Sequence, residues 1–203
     1  MTGQGGMDGY FEKTLGIIGD ALRSIDHEEF EALREDCVRT LDAGHKLIAS
    51  GLGKNVPICE KFVGTLTSLG MDASFMHTNS AVHGDLGMVR DGDLVILLTK
   101  SGETVESVHL AELLLHRNCR LWLLSFSRDS TLYRLIPNRL TAILSHEGDP
   151  WNIVPNNSTV LNLIILQGLA MRIAEERRTR LDELRQNHPG GAIGVRLRDE
   201  APL

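Results

Sequence analysis

Cysteine, basic charge and long apolar runs are all scarce in this chain, and each shortage excludes a class of protein. Its three cysteines, Cys37, Cys59 and Cys119, are widely spaced and form no C-x-x-C pair. They suggest neither a disulfide framework nor a zinc knuckle, and reduced thiols in a cytoplasmic protein are the expectation. Lysine and arginine number 21 against 27 aspartates and glutamates, a formal net charge of −6, with a pI near 5.7. That balance lacks the basic footprint of non-specific nucleic-acid binding, so an anionic ligand must be held by local geometry. The most apolar stretch, 160–174, contains Asn162, Gln167 and Arg172 and is too short to span a bilayer, so no membrane partner is expected. The first six residues are polar and glycine-rich, with no following apolar segment on a basic flank. Residues 1–9 therefore read as a flexible N-terminus rather than a signal peptide. No internal repeat, low-complexity tract or interdomain linker is present.

What remains is ordinary for one globular core: 203 residues, 42% hydrophobic and 24% charged. Residues 10–203 read as a single domain. The pattern opens with a long helical segment over 10–49, broken near Ser24, Ile25 and Asp26, whose charge-rich second half implies one solvated face. Short apolar runs at 46–50, 73–77, 94–98, 120–125 and 141–144 read as strands, and helical spacing lies between them. A helix over about 158–180 is apolar almost all round, which implies burial against several neighbours or at a subunit interface. Five strands alternating with helices give an α/β fold with a doubly wound parallel sheet, whose ligands bind at the carboxyl ends of the strands.

Two of those ends carry chemistry. After 94–98 the chain runs Thr99-Lys100-Ser101-Gly102-Glu103-Thr104-Val105-Glu106 into a helix expected to begin at Glu103. Hydroxyls, a glycine and free backbone N–H groups at a helix start make an anion site. After 46–50 comes Gly51-Leu52-Gly53-Lys54-Asn55, with Pro57 suited to the first turn of the next helix. This second turn lacks the full glycine pattern of a dinucleotide site or a phosphate-binding NTPase loop. Two further stretches are distinctive: His83-Gly84-Asp85-Leu86-Gly87-Met88-Val89, and His188-Pro189-Gly190-Gly191-Ala192-Ile193-Gly194.

In this order the four stretches closely resemble the sugar isomerase (SIS) domain of D-arabinose 5-phosphate isomerases, from about Lys46 to the C-terminus. The histidine stretches are more specific to these enzymes than the Ser-Gly-Glu-Thr turn. The resemblance implies a flavodoxin-like three-layer sandwich around a five-stranded parallel sheet. It also implies a homo-oligomer, usually a tetramer, and reversible conversion of an aldose 5-phosphate to ribulose 5-phosphate. Carried onto this sequence, it points to Lys54, His83, Glu106, Glu147 and His188 as catalytic residues. It points to Gly53, Asn55, Thr99, Ser101, Gly102 and Thr104 as the substrate-phosphate site. Two departures bear on sugar specificity: Asn55 stands where serine is common, and Trp151-Asn152 replaces smaller or different residues. Larger family members carry a regulatory CBS pair after this domain, and none is expected within these 203 residues.

The reaction suits these residue types. Aldose–ketose isomerisation needs an open-chain sugar, a base that moves a proton between C2 and C1 through an enediol, and a group that polarises the carbonyl. Glu106 and Glu147 are both candidate bases, with a pKa expected to rise towards neutrality on partial burial. Lys54, His83 and His188 are candidate acids or oxyanion stabilisers. The scheme requires no cofactor and no metal. His83 and Asp85 alone do not make a zinc site. Taken singly, each residue has an ordinary explanation: Lys54 as a solvated charge, Glu106 as a complement to the helix dipole, His188 as a turn residue and Glu147 as a loop carboxylate. The four stretches together favour the site. Two alternatives stay open, an isomerase of a hexose or heptose phosphate and a non-catalytic phosphosugar sensor. The sensor would carry a DNA-binding or effector segment, and the first 45 or so residues are acidic, without a recognition-helix pattern.

Overall fold

The computed structural model describes residues 7–199. Two N-terminal helices, α1 (Met7–Arg23) and α2 (His27–Asp42), precede β1 (Leu47–Gly51), α3 (Asn55–Ser68), β2 (Ala73–His77) and a single turn, α4 (Thr78–Ala81). After a 3-10 turn at Asp85–Met88 come β3 (Leu94–Leu98), α5 (Val105–Leu115), β4 (Arg120–Ser125), α6 (Thr131–Leu135) and β5 (Arg139–Thr141). The chain closes with α7 (Asn157–Glu176), α8 (Leu181–Asn187) and α9 (Gly191–Asp199).

All five strands are parallel, in the order β2-β1-β3-β4-β5. The continuous apolarity of the central strands has a direct cause, since successive side chains point to opposite faces and both faces are covered. Leu94, Ile96 and Leu98 of β3 enter one core with Leu33 of α2, Phe62 and Leu66 of α3, and Ile165 and Leu169 of α7. Val95 and Leu97 enter the other core, with Met76, Leu110, Leu114 and Leu132 from β2, α5 and α6. The result is a three-layer α/β sandwich with flavodoxin-like strand order, as the sequence implies. Asp36, buried on α2, fastens that helix to the sheet through Trp122 Nε1 (2.9 Å) and the guanidinium groups of Arg39 and Arg120.

Several boundaries differ from expectation for local reasons. The N-terminal helical pattern breaks where predicted, because Asp26 caps α2 by accepting the N–H groups of Glu28 and Glu29. Met7, Asp8 and Gly9, read from the sequence as flexible, begin α1; residues 1–6 lie outside the described residues. The edge strand β5 starts at Arg139 rather than 141, and past Ala142 its amides leave the ladder, with Ile143 N–H donating to Ser24 Oγ (2.7 Å). The short helices α4, α6, α8 and α9 have no counterpart among the elements expected from the sequence. The α7 helix packs against α1, α2 and α3, which accounts for its broad apolar surface, while Val160, Ile164 and Met171 stay about 40–45% exposed. Among the described residues, no helix is long and apolar enough to cross a membrane.

Candidate active site

Strand order reverses between β1 and β3, and their carboxyl ends bound a cavity of about 540 Å³, where open α/β sheets take their ligands. The β1–α3 loop contributes Leu52, Gly53, Lys54 and Asn55; the β3–α5 turn contributes Leu98 through Ser101, with Thr104 and Ser107. Pro155, Ser158 and Asn162 come from the start of α7. Thr99, Ser107, Ser158 and Asn162 are buried and form its floor, while Gly53, Lys54, Ser101 and Pro155 stand exposed or half-buried at the rim.

Three helices therefore direct their N-termini at one space. Neither Lys54 before α3 nor Thr104 before α5 caps its helix with its side chain. The first N–H groups and the positive dipole ends of both helices thus face the cavity. A lysine at such an end is opposed by the dipole until an anion lies beside it. The turn itself is fixed internally. Thr99 Oγ1 accepts the Gly102 N–H and Ser101 Oγ accepts the Glu103 N–H, both at 3.2 Å. Gly102 has φ +71°, and a Cβ there would meet Ser130 Cβ at 2.7 Å, so glycine is required by both backbone and space. It shapes the turn from behind and does not line the cavity. Glu103 precedes the helix instead of opening it, and accepts the Thr131 N–H at 2.7 Å. That bond lowers its pKa.

The α7 terminus is built differently. Its N-cap residue, Asn156, makes no side-chain cap bond. Glu147 reaches in from the preceding loop, and its Oε2 accepts the N–H groups of Asn156 (3.0 Å) and Ser158 (2.9 Å). Its Oε1 lies 2.7 Å from Lys100 Nζ. Burial by itself would push this carboxyl's pKa up. The bonds from Lys100 and Ser158 outweigh that effect and hold it below the ordinary 4.5. Glu147 is thus an ionised partner of Lys100 at neutral pH, which reverses the expected rise towards neutrality. Lys100 is the site residue that sequence reasoning passed over; its signal was a lysine at the variable position of a Thr-x-Ser-Gly turn.

The neighbouring loop is organised by Asp149, whose carboxylate accepts the N–H groups of Trp151 (3.0 Å), Ile153 (3.0 Å) and Val154 (3.1 Å). Burial raises its pKa, and these three bonds together lower it further than burial lifts it. Trp151 and Ile153 are left exposed beside Pro155 at the rim.

The sequence-derived residues thus divide. Gly53, Lys54, Asn55, Thr99, Ser101 and Thr104 line one cavity, and Glu147 adjoins it through Lys100 and Ser158. Glu106, second in α5, and His83, in the turn after α4, are exposed and outside the lining, on neighbouring elements that pack together. His188 is remote. Its Nδ1 lies 2.9 Å from Leu184 O on α8, and the adjacent Asn187 donates to Ser68 O at the far end of α3. The 14 residues of α3 separate that end from Lys54 by about 20 Å at the usual helical rise. Among the described residues, no cluster of three or more His, Cys, Asp or Glu side chains is arranged to hold a metal ion.

The sequence profile of the SIS domain matches residues 41–172. This chain belongs to the SIS domain family. Among curated relatives, the arabinose 5-phosphate isomerase KdsD of Pseudomonas aeruginosa is 31% identical over 186 residues, 92% of this chain and 57% of the relative. The arabinose 5-phosphate isomerase KpsF of Escherichia coli is 36% identical over 154 residues, 76% of this chain and 48% of the relative. The chain spans about half the length of these relatives. A solved structure from Escherichia coli CFT073, in complex with arabinose 5-phosphate, superposes on this SIS domain with a TM-score of 0.82 and 27% identity, covering 89% of this chain and 94% of that one.

Proposed function

We propose that this SIS domain is a phosphosugar isomerase that interconverts D-arabinose 5-phosphate and D-ribulose 5-phosphate through an enediol. The observation that carries the reading is the convergence of two uncapped helix N-termini, a hydroxyl-rich turn and two lysines, Lys54 and Lys100, on one cavity. Similarity to arabinose 5-phosphate isomerases over most of the chain supports the substrate class. The phosphate sits at Ser101, Thr104 and the α5 N-terminus, where N–H groups and dipole favour a dianion. Lys54 neutralises the charge. Lys100, fixed by Glu147, stabilises the oxygen that gains charge as the enediol forms, a role for which a pre-held cation in a partly dry site is suited. Glu147 then positions Lys100, and Glu106 at the exposed edge of α5 is left as the proton-transfer base. Since His188 lies about 20 Å from its own cavity, it takes part only at the cavity of a second copy, within a homo-oligomer.

Purified protein incubated with D-arabinose 5-phosphate should form ribulose 5-phosphate. Absence of turnover with any five- to seven-carbon phosphosugar would overturn the reading. A second reading, a non-catalytic phosphosugar-binding module, draws on one specific observation: the carboxylate closest to the cavity, Glu147, has a lowered pKa and is ion-paired. Tight phosphosugar binding by calorimetry without turnover would favour it.

A further inference from the structure

Two asparagines at the floor of the cavity form a polarised relay. Asn55 Nδ2 faces the carbonyl oxygen of Leu98 at 3.5 Å. A carbonyl only accepts, so this contact turns the Asn55 amide with its Oδ1 outward. Asn55 Oδ1 then accepts from Asn162 Nδ2 at 3.0 Å. Asn162 is thereby left with its Oδ1 as the free end, and that atom is buried with no hydrogen-bond partner among the described residues. The whole Asn162 side chain is enclosed, the residue being 1% exposed, yet it lines the cavity. Ser158 lies one turn before it on the same face of α7. Buried acceptors are rarely left unpaired, and one that lines a ligand cavity points to a ligand donor.

We propose that Asn162 Oδ1 accepts a hydrogen bond from one hydroxyl of the bound phosphosugar, and that Asn55 is the positioning residue that fixes its orientation. The inference rests on the phosphosugar reading above and sharpens it. The hydroxyls of Thr99, Ser107 and Ser158 at the same floor can each donate or accept and so discriminate little. Asn162 Oδ1 accepts only, and it therefore demands an O–H at one position of the ligand. A phosphate oxygen, a carbonyl or a deoxy carbon cannot satisfy it. The requirement also sets polarity: the phosphate lies towards the N-termini of α3 and α5, and the hydroxylated carbons run towards α7. A site built to bond a hydroxyl rejects the analogue that lacks it far more strongly than an apolar pocket would.

Calorimetric binding of D-arabinose 5-phosphate and its 2-, 3- and 4-monodeoxy analogues tests this on the wild-type protein. One analogue should bind about 10²-fold or more weakly than the parent, the others within a few-fold. In Asn162→Leu the parent weakens, and the gap to that same analogue shrinks to about threefold or less, because the unpaired acceptor is gone. Asn55→Ala releases the Asn162 amide to rotate and should narrow the same gap while leaving the ratios of the other two analogues unchanged. That selective change separates positioning from general loss of structure, and it stands in for Asn162→Leu if that variant fails to fold. The inference alone is overturned if all three analogues bind the wild type like the parent, or if the discrimination survives in the variants. If the wild type binds none of the four sugars, the phosphosugar reading falls with it.

Discussion

Lys100 and Glu147 are unequal partners: the lysine side chain is 42% exposed and the glutamate side chain 1%. Removing the carboxylate leaves an ammonium that water can solvate, whereas removing the ammonium leaves a buried charge with only backbone donors. Lys100→Met should therefore destabilise by about 3 kcal/mol or more, and Glu147→Gln by about 1–2 kcal/mol for its lost charge-assisted bonds. Urea unfolding of both variants and of the double variant checks the order and the coupling. The pair also sets a pH dependence. Glu147 has a folded pKa below its ordinary 4.5, so its contribution is fully present above that value and is lost as the pH falls through the folded pKa. Acid unfolding of Glu147→Gln should consequently show a shallower loss of stability below about pH 4.5 than the wild type. At the base, Glu106→Gln should slow turnover by ~10²-fold or more, the scale of general acid–base assistance. A wild-type rate would remove Glu106 from the scheme.

At the scale of elements, the site is a set of helix starts, and its most demanding joint is the β3–α5 turn. Gly102→Ala must adopt a positive φ and displace Ser130, and should cost about 2 kcal/mol or more together with loss of phosphosugar affinity, read by thermal unfolding and calorimetry. These joints also explain what the sequence disclosed. The central strands were readable because burial on both faces leaves an unbroken apolar run, as in Leu94–Leu98. The edge strand β5 slipped by two residues because its last amides bond to side chains of the N-terminal helices and the turn between them, which no local pattern records. The short helices α4, α6 and α8 are single turns or little more, below the length at which helical periodicity is visible. The turn residues Lys54, Thr99, Ser101 and Thr104 were legible, since each sits where a strand meets a helix. The pairing of Lys100 with Glu147, and of Asn55 with Asn162, depends on tertiary closure between distant segments and left no trace in spacing.

For the whole molecule, the position of His188 ties catalysis to assembly. Within one chain it is anchored to α8, at the opposite end of α3 from the cavity. If a second copy supplies it, His188→Ala and Lys54→Met variants should each be nearly inactive alone and regain measurable activity when unfolded together and co-refolded, because mixed oligomers then contain some intact cavities. Sedimentation of the wild type should correspondingly show an oligomer. A fully active monomer would assign His188 a structural part only.

The central claim, that this SIS domain isomerises a phosphosugar and does not merely hold one, is tested most directly by following D-arabinose 5-phosphate with the purified protein by proton NMR. The account predicts conversion to ribulose 5-phosphate until equilibrium is reached from either side. Saturable binding with the aldose signals unchanged would contradict it.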